Sequence, residues 1–245
     1  MPEDRIAAFA KSHTNNAANE EIQKIPAATV ILLRDSTPGM EILMLRKTSN
    51  ITFGGMWVFP GGRIDDQDGA DDDPMEQRAR IAAAREAREE AALQVAEQDM
   101  YWFSHWTPPA VGKRRFITWF YAARAPRQTV TIDDGEITES RWLTAEAALR
   151  KQAEGEIELA PPTFVTLRNL SGYRTVDEAL SAIRQAQPWR YATRVCASGD
   201  DLVLLWSGDA GYESGKADTA GPRHRLSLKA DGWIFEDADR RSAEH

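Results

Sequence analysis

Cysteine and long apolar runs are scarce in this sequence, and positively charged residues are fewer than negatively charged ones. The chain has one cysteine, Cys196, so neither an intrachain disulfide nor a cysteine-based zinc cluster can form. No apolar run approaches the roughly 20 residues that span a bilayer, and the first residues lack the apolar region of a signal peptide. We therefore expect a cytoplasmic protein that does not bind membranes.

Negative charge predominates. There are 30 Lys and Arg residues against 38 Asp and Glu residues, which gives a formal net charge of −8. Because such a surface repels a nucleic-acid backbone, we do not expect a nucleic acid as a partner. A small anionic ligand stays compatible with this charge, because a bound metal ion can supply local positive charge.

The order of apolar patterns predicts one main domain with an addition at each end. Residues 1–24 are polar and are expected to form a loosely attached extension, with a short helix at 6–10. Residues 25–187 alternate between strand patterns and helix patterns, which indicates an α/β domain with a mixed sheet flanked by helices. Residues 188–245 contain short β patterns between Gly-rich loops and are expected to form a small β-rich appendage.

An acidic insert at residues 63–74 interrupts the main domain. It contains six aspartates and few apolar residues, so we expect a solvated surface loop. The spacing of the aspartates does not fit an EF-hand loop, which needs a glycine at position 6 and a glutamate at position 12. A calcium-regulated protein that uses this insert is the weakest of the alternatives.

The helix predicted from Met75 to about Leu93 carries a cluster of carboxylates. Glu86, Glu89 and Glu90 stand at positions i, i+3 and i+4, which places them on one side of the helix. Oxygen donors of this kind suit Mg²⁺ or Mn²⁺. Taken alone, the same pattern is typical of a solvated helix with ion pairs.

The segment Phe59–Gly62 changes this interpretation. It reads Phe-Pro-Gly-Gly and is predicted to be a tight turn whose glycines let the backbone approach the helix and a ligand. Together with Arg85-Glu86 and Glu89-Glu90, it resembles the box of the Nudix hydrolases. That box has a glycine, five residues, a glutamate, seven residues and then Arg-Glu-apolar-x-Glu-Glu-x-Gly. Gly62 matches its first glycine.

The chain departs from the box at three places. Nine additional residues separate Gly62 from Arg85. Gln77 stands where the upstream glutamate belongs, with Glu76 one position away. Ala92 replaces the last glycine. None of these changes removes a carboxylate of the core.

The resemblance implies an α/β/α sandwich and the hydrolysis of a nucleoside diphosphate linked to another group. It implies Mg²⁺ or Mn²⁺ as cofactor and a small nucleotide-type molecule as substrate, and a homodimer is compatible with it. The metal ligands would be Glu86, Glu89 and Glu90, with Glu86 as ligand or general base and Arg85 as the residue that orients it. The residues expected to contact the substrate are Gly61, Gly62, Arg46 and Arg115.

Within the family, the sequence resembles the coenzyme A diphosphatase-like branch, which contains the peroxisomal Nudix protein and bacterial relatives. The coenzyme A signature is partial, because Arg46 and Gly55 match it but Ile51 stands in place of the second arginine. Glu136 and Glu139 lie in a region where some Nudix enzymes place a catalytic glutamate, and otherwise would be exposed carboxylates. The alternative function is a non-catalytic Nudix-fold domain that binds a ligand or a protein.

Overall fold

The structure is a computed structural model that describes residues 23–49, 53–109, 114–133, 135–199 and 201–238. The predicted extension 1–24 and its helix at 6–10 lie outside the described residues, except that residues 23 and 24 begin the first strand.

The described residues form twelve strands and four α-helices. The strands are β1 (Gln23–Ser36), β2 (Gly39–Lys47), β3 (Trp57–Val58), β4 (Gly61–Arg63), β5 (Tyr101–Thr107), β6 (Arg114–Arg124), β7 (Ile137–Thr144), β8 (Trp189–Ala192), β9 (Arg194–Ser198), β10 (Asp201–Leu205), β11 (His224–Lys229) and β12 (Gly232–Asp237). The helices are α1 (Met75–Ala91), α2 (Ala145–Ala153), α3 (Pro161–Leu170) and α4 (Val176–Gln185).

The described residues divide into two compact units. The first consists of Pro26–His105 and Thr118–Trp189. The second contains the described parts of Trp106–Ile117 and Arg190–His245, together with residues 23–25. Among the helices of the described chain, none is long and apolar enough to cross a membrane.

The first unit is built on a sheet with the strand order β3-β2-β1-β6-β5, with β4 paired to β1 and β7 paired to β2. Neighbouring residues of β1, such as Ile31 and Leu32, are both fully buried. Because successive side chains of a strand point to opposite faces, the sheet is covered on both sides. The architecture confirms the predicted mixed sheet flanked by helices.

Helix α1 covers one face of this sheet through small residues. Ala79, Ala83 and Ala87 are fully buried against a core that includes Val30 and Leu43. Alanines favour the helix and also let its backbone approach the sheet closely. The position of α1 relative to β1 and β4 is therefore set by packing, and this position fixes the glutamates on its neighbouring side.

The C-terminus of α1 ends at a left-handed residue. Ala92 has φ 55° and ψ 30°, and its N–H donates to the carbonyl oxygen of Arg88. Helices often end this way, but the residue is usually glycine because a Cβ is strained in this conformation. The sequence departure at Ala92 thus keeps the conformation for which glycine is suited.

The second unit contains an antiparallel sheet with the order β12-β11-β10-β9. Its interior includes Trp106 stacked on Tyr191, with ring centroids 4.0 Å apart. A buried ion pair supports the long connection between β10 and β11, where Arg225 donates to both oxygens of Asp209 at 2.7 and 2.6 Å. This pair joins the loop to β11.

Candidate active site

The Gly-Gly segment is a strand rather than the predicted turn. Gly61–Arg63 forms β4, in which Gly61 lies opposite Thr29 and Gly62 lies opposite Ala28 of β1. The prediction was wrong because pairing with β1, which no local pattern reveals, decides the conformation. The close approach to α1 is nevertheless present: a Cβ added at Gly62 would lie 2.3 Å from Oε1 of Glu86.

Glu90 is held in the protein interior by two donors. It is 4% exposed, and its Oε2 accepts a hydrogen bond of 2.9 Å from the N–H of Gly61. Its Oε1 lies 2.8 Å from Nζ of Lys47. Burial raises the pKa of Glu90 above its usual value, although Lys47 and the N–H of Gly61 act in the opposite direction.

Glu86 lies on the same side of α1, one turn before Glu90. Burial raises its pKa to about 7, the nearby charge of Glu90 adds to this, and the guanidinium of Arg85 opposes it. Nη1 of Arg85 donates to Oε1 of Glu86 at 2.9 Å. A carboxylate with this pKa can both accept and release a proton near neutral pH.

Glu89 has a different environment. Its side chain is 51% exposed, and it accepts a hydrogen bond of 3.0 Å from Nη1 of Arg85. Glu86 and Glu89 therefore accept hydrogen bonds from the same guanidinium nitrogen of Arg85, whereas Glu90 pairs with Lys47. Within the described ranges, no group of three or more His, Cys, Asp or Glu side chains is arranged to hold a metal ion.

Arg85 is fixed by Asp68, a residue of the acidic insert. Nε and Nη2 of Arg85 donate to the two oxygens of Asp68, both at 2.9 Å. Asp68 is 1% exposed, so the expectation of a fully solvated insert is wrong at this residue. It is correct for Asp65, Asp66, Asp71 and Asp72, which are exposed. Although burial would raise the pKa of Asp68, Arg85 and the N–H of Asp65 hold it below its usual value.

Asp68 also answers which residue stands at the glutamate position of the Nudix box that precedes Arg85. It follows Gly62 by five intervening residues, which is the spacing of the glutamate in the Nudix box. The additional residues therefore come after this carboxylate, not before it. Glu76 points elsewhere, because its Oε1 pairs with Nη2 of Arg80 at 2.8 Å. The spacing from Gly62 is the sequence signal that could have identified Asp68. It was missed because the upstream position was counted back from Arg85, which placed the additional residues before that position.

Lys47 is the second site residue that sequence reasoning missed. Its side chain is 11% exposed and lies 2.8 Å from Glu90 and 3.5 Å from Oε2 of Glu136. Burial alone would lower the pKa of Lys47, but Glu90 and Glu136 raise it, so the side chain is a charged ammonium. Strand alternation is the signal for it, since Leu43, Leu45 and Lys47 share the face that α1 covers.

The two arginines predicted to contact substrate lie in other surroundings. Arg46 is exposed and lies on the opposite face of β2 from Lys47, where Nη1 is 3.8 Å from Oε2 of Glu139. Arg115 belongs to the second unit and donates to the carbonyl oxygen of Pro108. Their roles stay predictions.

Comparison with known families identifies the class of protein that this fold and site define. The profile of the NUDIX domain matches residues 23–162, more than half of the 245 residues, so the chain belongs to the Nudix family. It is a Nudix hydrolase, and this family membership indicates hydrolysis of a pyrophosphate link in nucleoside diphosphate derivatives.

One solved structure supports the same fold. A NUDIX hydrolase from Alicyclobacillus acidocaldarius aligns with a TM-score of 0.60 and 19% identity, over 69% of this chain and 100% of its own. Lower TM-scores are found for the NUDIX domain of Shewanella oneidensis NrtR complexed with ADP ribose (0.47; 18% identity; 65% and 94% covered) and for a MutT NUDIX hydrolase from Burkholderia pseudomallei (0.46; 18%; 60% and 97%). No curated protein matches the sequence.

Proposed function

We propose that this chain is a Mg²⁺- or Mn²⁺-dependent hydrolase that cleaves the pyrophosphate link of a nucleoside diphosphate derivative. Its active site would contain Glu86 and Glu90. The observation that carries the proposal is the contact of β4 with α1. Gly62 lies against the carboxylate of Glu86, where any side chain would clash, and the N–H of Gly61 donates to Glu90. In a helix whose carboxylates face water, these groups would be hydrated and would not be held against a neighbouring strand.

The donor chemistry of the site fits a hard divalent cation. Glu86 and Glu90 offer carboxylate oxygens whose pKa values are raised mainly by burial, with the charge of Glu90 adding to the shift of Glu86 and the charge of Glu136 adding to that of Glu90. A bound cation would relieve these costs. Glu89, which is exposed beside Arg85, would be the third ligand. A bound Mg²⁺ or Mn²⁺ supplies Lewis acidity toward a phosphoryl oxygen and lowers the pKa of water.

The protein's own groups have separate roles in this proposal. Asp68 fixes Arg85 through two hydrogen bonds, and Arg85 in turn orients Glu86. Glu86, with a pKa of about 7 in the metal-free protein, is the candidate base for a water molecule. Gly61, Gly62 and Arg46 of the first unit would contact the substrate phosphates, and the substrate contact predicted for Arg115 stays a prediction.

Coenzyme A and acyl-CoA are the specific substrates that we propose to test first. The support for them is the partial signature formed by Arg46 and Gly55. Arg46 is exposed, so its guanidinium is accessible to a phosphate, and its contact with Glu139 at 3.8 Å is long enough to be exchanged for a ligand.

A substrate panel with site variants tests the proposal. Coenzyme A, acyl-CoA, NADH, ADP-ribose and dinucleoside polyphosphates are incubated with Mg²⁺ or Mn²⁺ and the wild-type protein, Glu86→Gln or Glu90→Gln. We expect turnover of at least one compound and a loss in kcat of about 100-fold or more in each variant. Glu76→Gln is the matched control, because Glu76 pairs with Arg80 outside the site. Wild-type turnover by both site variants would refute the assignment.

A further inference from the structure

One ammonium group joins two carboxylates that belong to different parts of the first unit. Lys47 is the last residue of β2, and its Nζ lies 2.8 Å from Oε1 of Glu90, on α1. The same Nζ lies 3.5 Å from Oε2 of Glu136, which precedes β7. The side chains of Lys47 and Glu90 are 11% and 5% exposed, so water screens this pair only partly, whereas the side chain of Glu136 is 62% exposed.

The backbone around Lys47 is built to hold it there. Its N–H donates to the carbonyl of Met56 and its own carbonyl accepts from the N–H of Gly55, both at 3.0 Å. The N–H of Thr48 donates to the carbonyl of Glu136 at 2.8 Å, which ties the two segments together. Because the main chain of Lys47 is fixed on both sides, the ion pairs cost only the rotamer freedom of its side chain and no further backbone entropy.

A register shift between β2 and β7 accompanies this arrangement. Arg46 lies opposite Glu139, whereas Lys47 lies opposite Ile137. Such irregularities redirect side chains and are common beside active sites. Arg46 and Lys47 are neighbours in sequence, but only Lys47 is directed to the face of the sheet that carries Glu90.

We propose that Lys47 is a built-in counter-cation of the site: it holds Glu90 and Glu136 together in the metal-free protein and competes with the divalent cation for Glu90. This inference rests on the proposed function, since it takes Glu90 as a metal ligand. Lys47 is thus a positioning residue that sets the metal affinity. The charge of Lys47 lowers the metal affinity, but it keeps the buried carboxylate of Glu90 in place when no metal is bound.

Removal of the charge should therefore tighten metal binding. Mn²⁺ binding is measured by calorimetry at about pH 8.5, where carboxylates are ionised. In Lys47→Met we expect the dissociation constant to fall about tenfold or more, because the ammonium of Lys47 lies 2.8 Å from Oε1 of Glu90 in a partly buried setting, where it would repel a cation bound to the same carboxylate. Lys47→Arg keeps the charge and should stay within about threefold of wild type. The control for the loss of any lysine is Lys151→Met, which removes a lysine of α2 that pairs with Glu156.

The melting temperature gives a second readout that does not depend on activity. Without metal, Lys47→Met leaves Glu90 with one fewer partner, so it should melt below wild type. Addition of Mn²⁺ should raise its melting temperature by more than it raises that of wild type. Lys47→Gln keeps a donor for Glu90 without the charge, so it replaces Lys47→Met in both measurements if the latter does not fold.

The outcomes separate this inference from the proposed function. Tighter Mn²⁺ binding and a larger thermal gain in the neutral variants support the counter-cation. If wild type binds Mn²⁺ and the neutral variants bind it equally or more weakly, the counter-cation is refuted while the proposed metal site stands. If neither wild type nor any variant binds Mn²⁺ or Mg²⁺, the metal site itself is refuted, and the inference with it.

Discussion

The two adjacent glycines of β4 should respond to the same substitution in opposite ways. In Gly62→Ala, the new Cβ would lie 2.3 Å from Oε1 and 2.6 Å from Cδ of Glu86. Both atoms are at the end of a flexible side chain, so Glu86 can move aside while the strand keeps its pairing. To reach ordinary van der Waals contact, the carboxylate must retreat by about 1 Å.

This movement of Glu86 should lower kcat rather than the stability of the fold. A misplacement of about 1 Å in a reacting group can cost about 100-fold in rate, so kcat should fall by roughly this factor. The free energy of unfolding should change by less than about 1 kcal/mol, since no buried backbone contact is disturbed. Glu86→Asp shortens the side chain and leaves room for the new Cβ at position 62. The double variant Gly62→Ala with Glu86→Asp should therefore lose less activity than the product of the losses in the two single variants.

Gly61→Ala should instead destabilise the fold. Its Cβ would lie 2.6 Å from the carbonyl oxygen of Ala28 and 2.8 Å from Cα of Thr29, which are backbone atoms of the paired strand β1. We expect a loss of roughly 1–3 kcal/mol in the free energy of unfolding. Denaturant unfolding and kcat are measured for both variants. The reasoning is refuted if Gly62→Ala keeps wild-type turnover, or if it is the less stable of the two.

Three further predictions concern stability and positioning. Asp68→Asn should lower kcat about tenfold or more because Arg85 loses its anionic partner, and rescue by Asp68→Glu would show that the carboxylate itself is required. Ala92→Gly should raise the free energy of unfolding by about 0.5–1 kcal/mol in a denaturant titration, because φ is 55° there; an unchanged midpoint would contradict this. Burial would raise the pKa of Asp209, but Arg225 holds it below its ordinary value. The stability from this pair is therefore present above the pKa of Asp209 in the unfolded chain, and it is lost as the pH falls through its pKa in the folded protein. Asp209→Asn should cost roughly 3–5 kcal/mol at neutral pH and flatten the acid limb of the stability curve, whereas an acid limb like that of wild type would contradict the assignment.

The elements with a strong local pattern were predictable from the sequence. The helix predicted from Met75 to about Leu93 is Met75–Ala91. The short β patterns predicted within residues 188–245 correspond to the strands β8 to β12. Hydrophobic periodicity and capping are local properties, so one sequence contains them.

The partners within the site were not predictable in the same way. Asp68 and Arg85 are 17 positions apart, and Lys47 and Glu90 are 43 positions apart. Such pairs are created by the packing of α1 on the sheet, which a single sequence does not specify residue by residue. The carboxylates of α1 and the neighbouring Arg85 were identified because their spacing on one helix is local, whereas Lys47 and Asp68 come from other parts of the chain.

The most direct test of the central claim is the source of the oxygen in the product. The most rapidly cleaved substrate of the panel is incubated with Mg²⁺ in water labelled with heavy oxygen, with wild type or with Glu90→Gln, and the phosphate products are analysed by mass spectrometry. We predict that wild type releases two phosphate-bearing products, one of which carries a single labelled oxygen, and that Glu90→Gln releases about 100-fold less in the same time. Labelled product formed by Glu90→Gln at the wild-type rate would contradict the assignment of the site to Glu86 and Glu90.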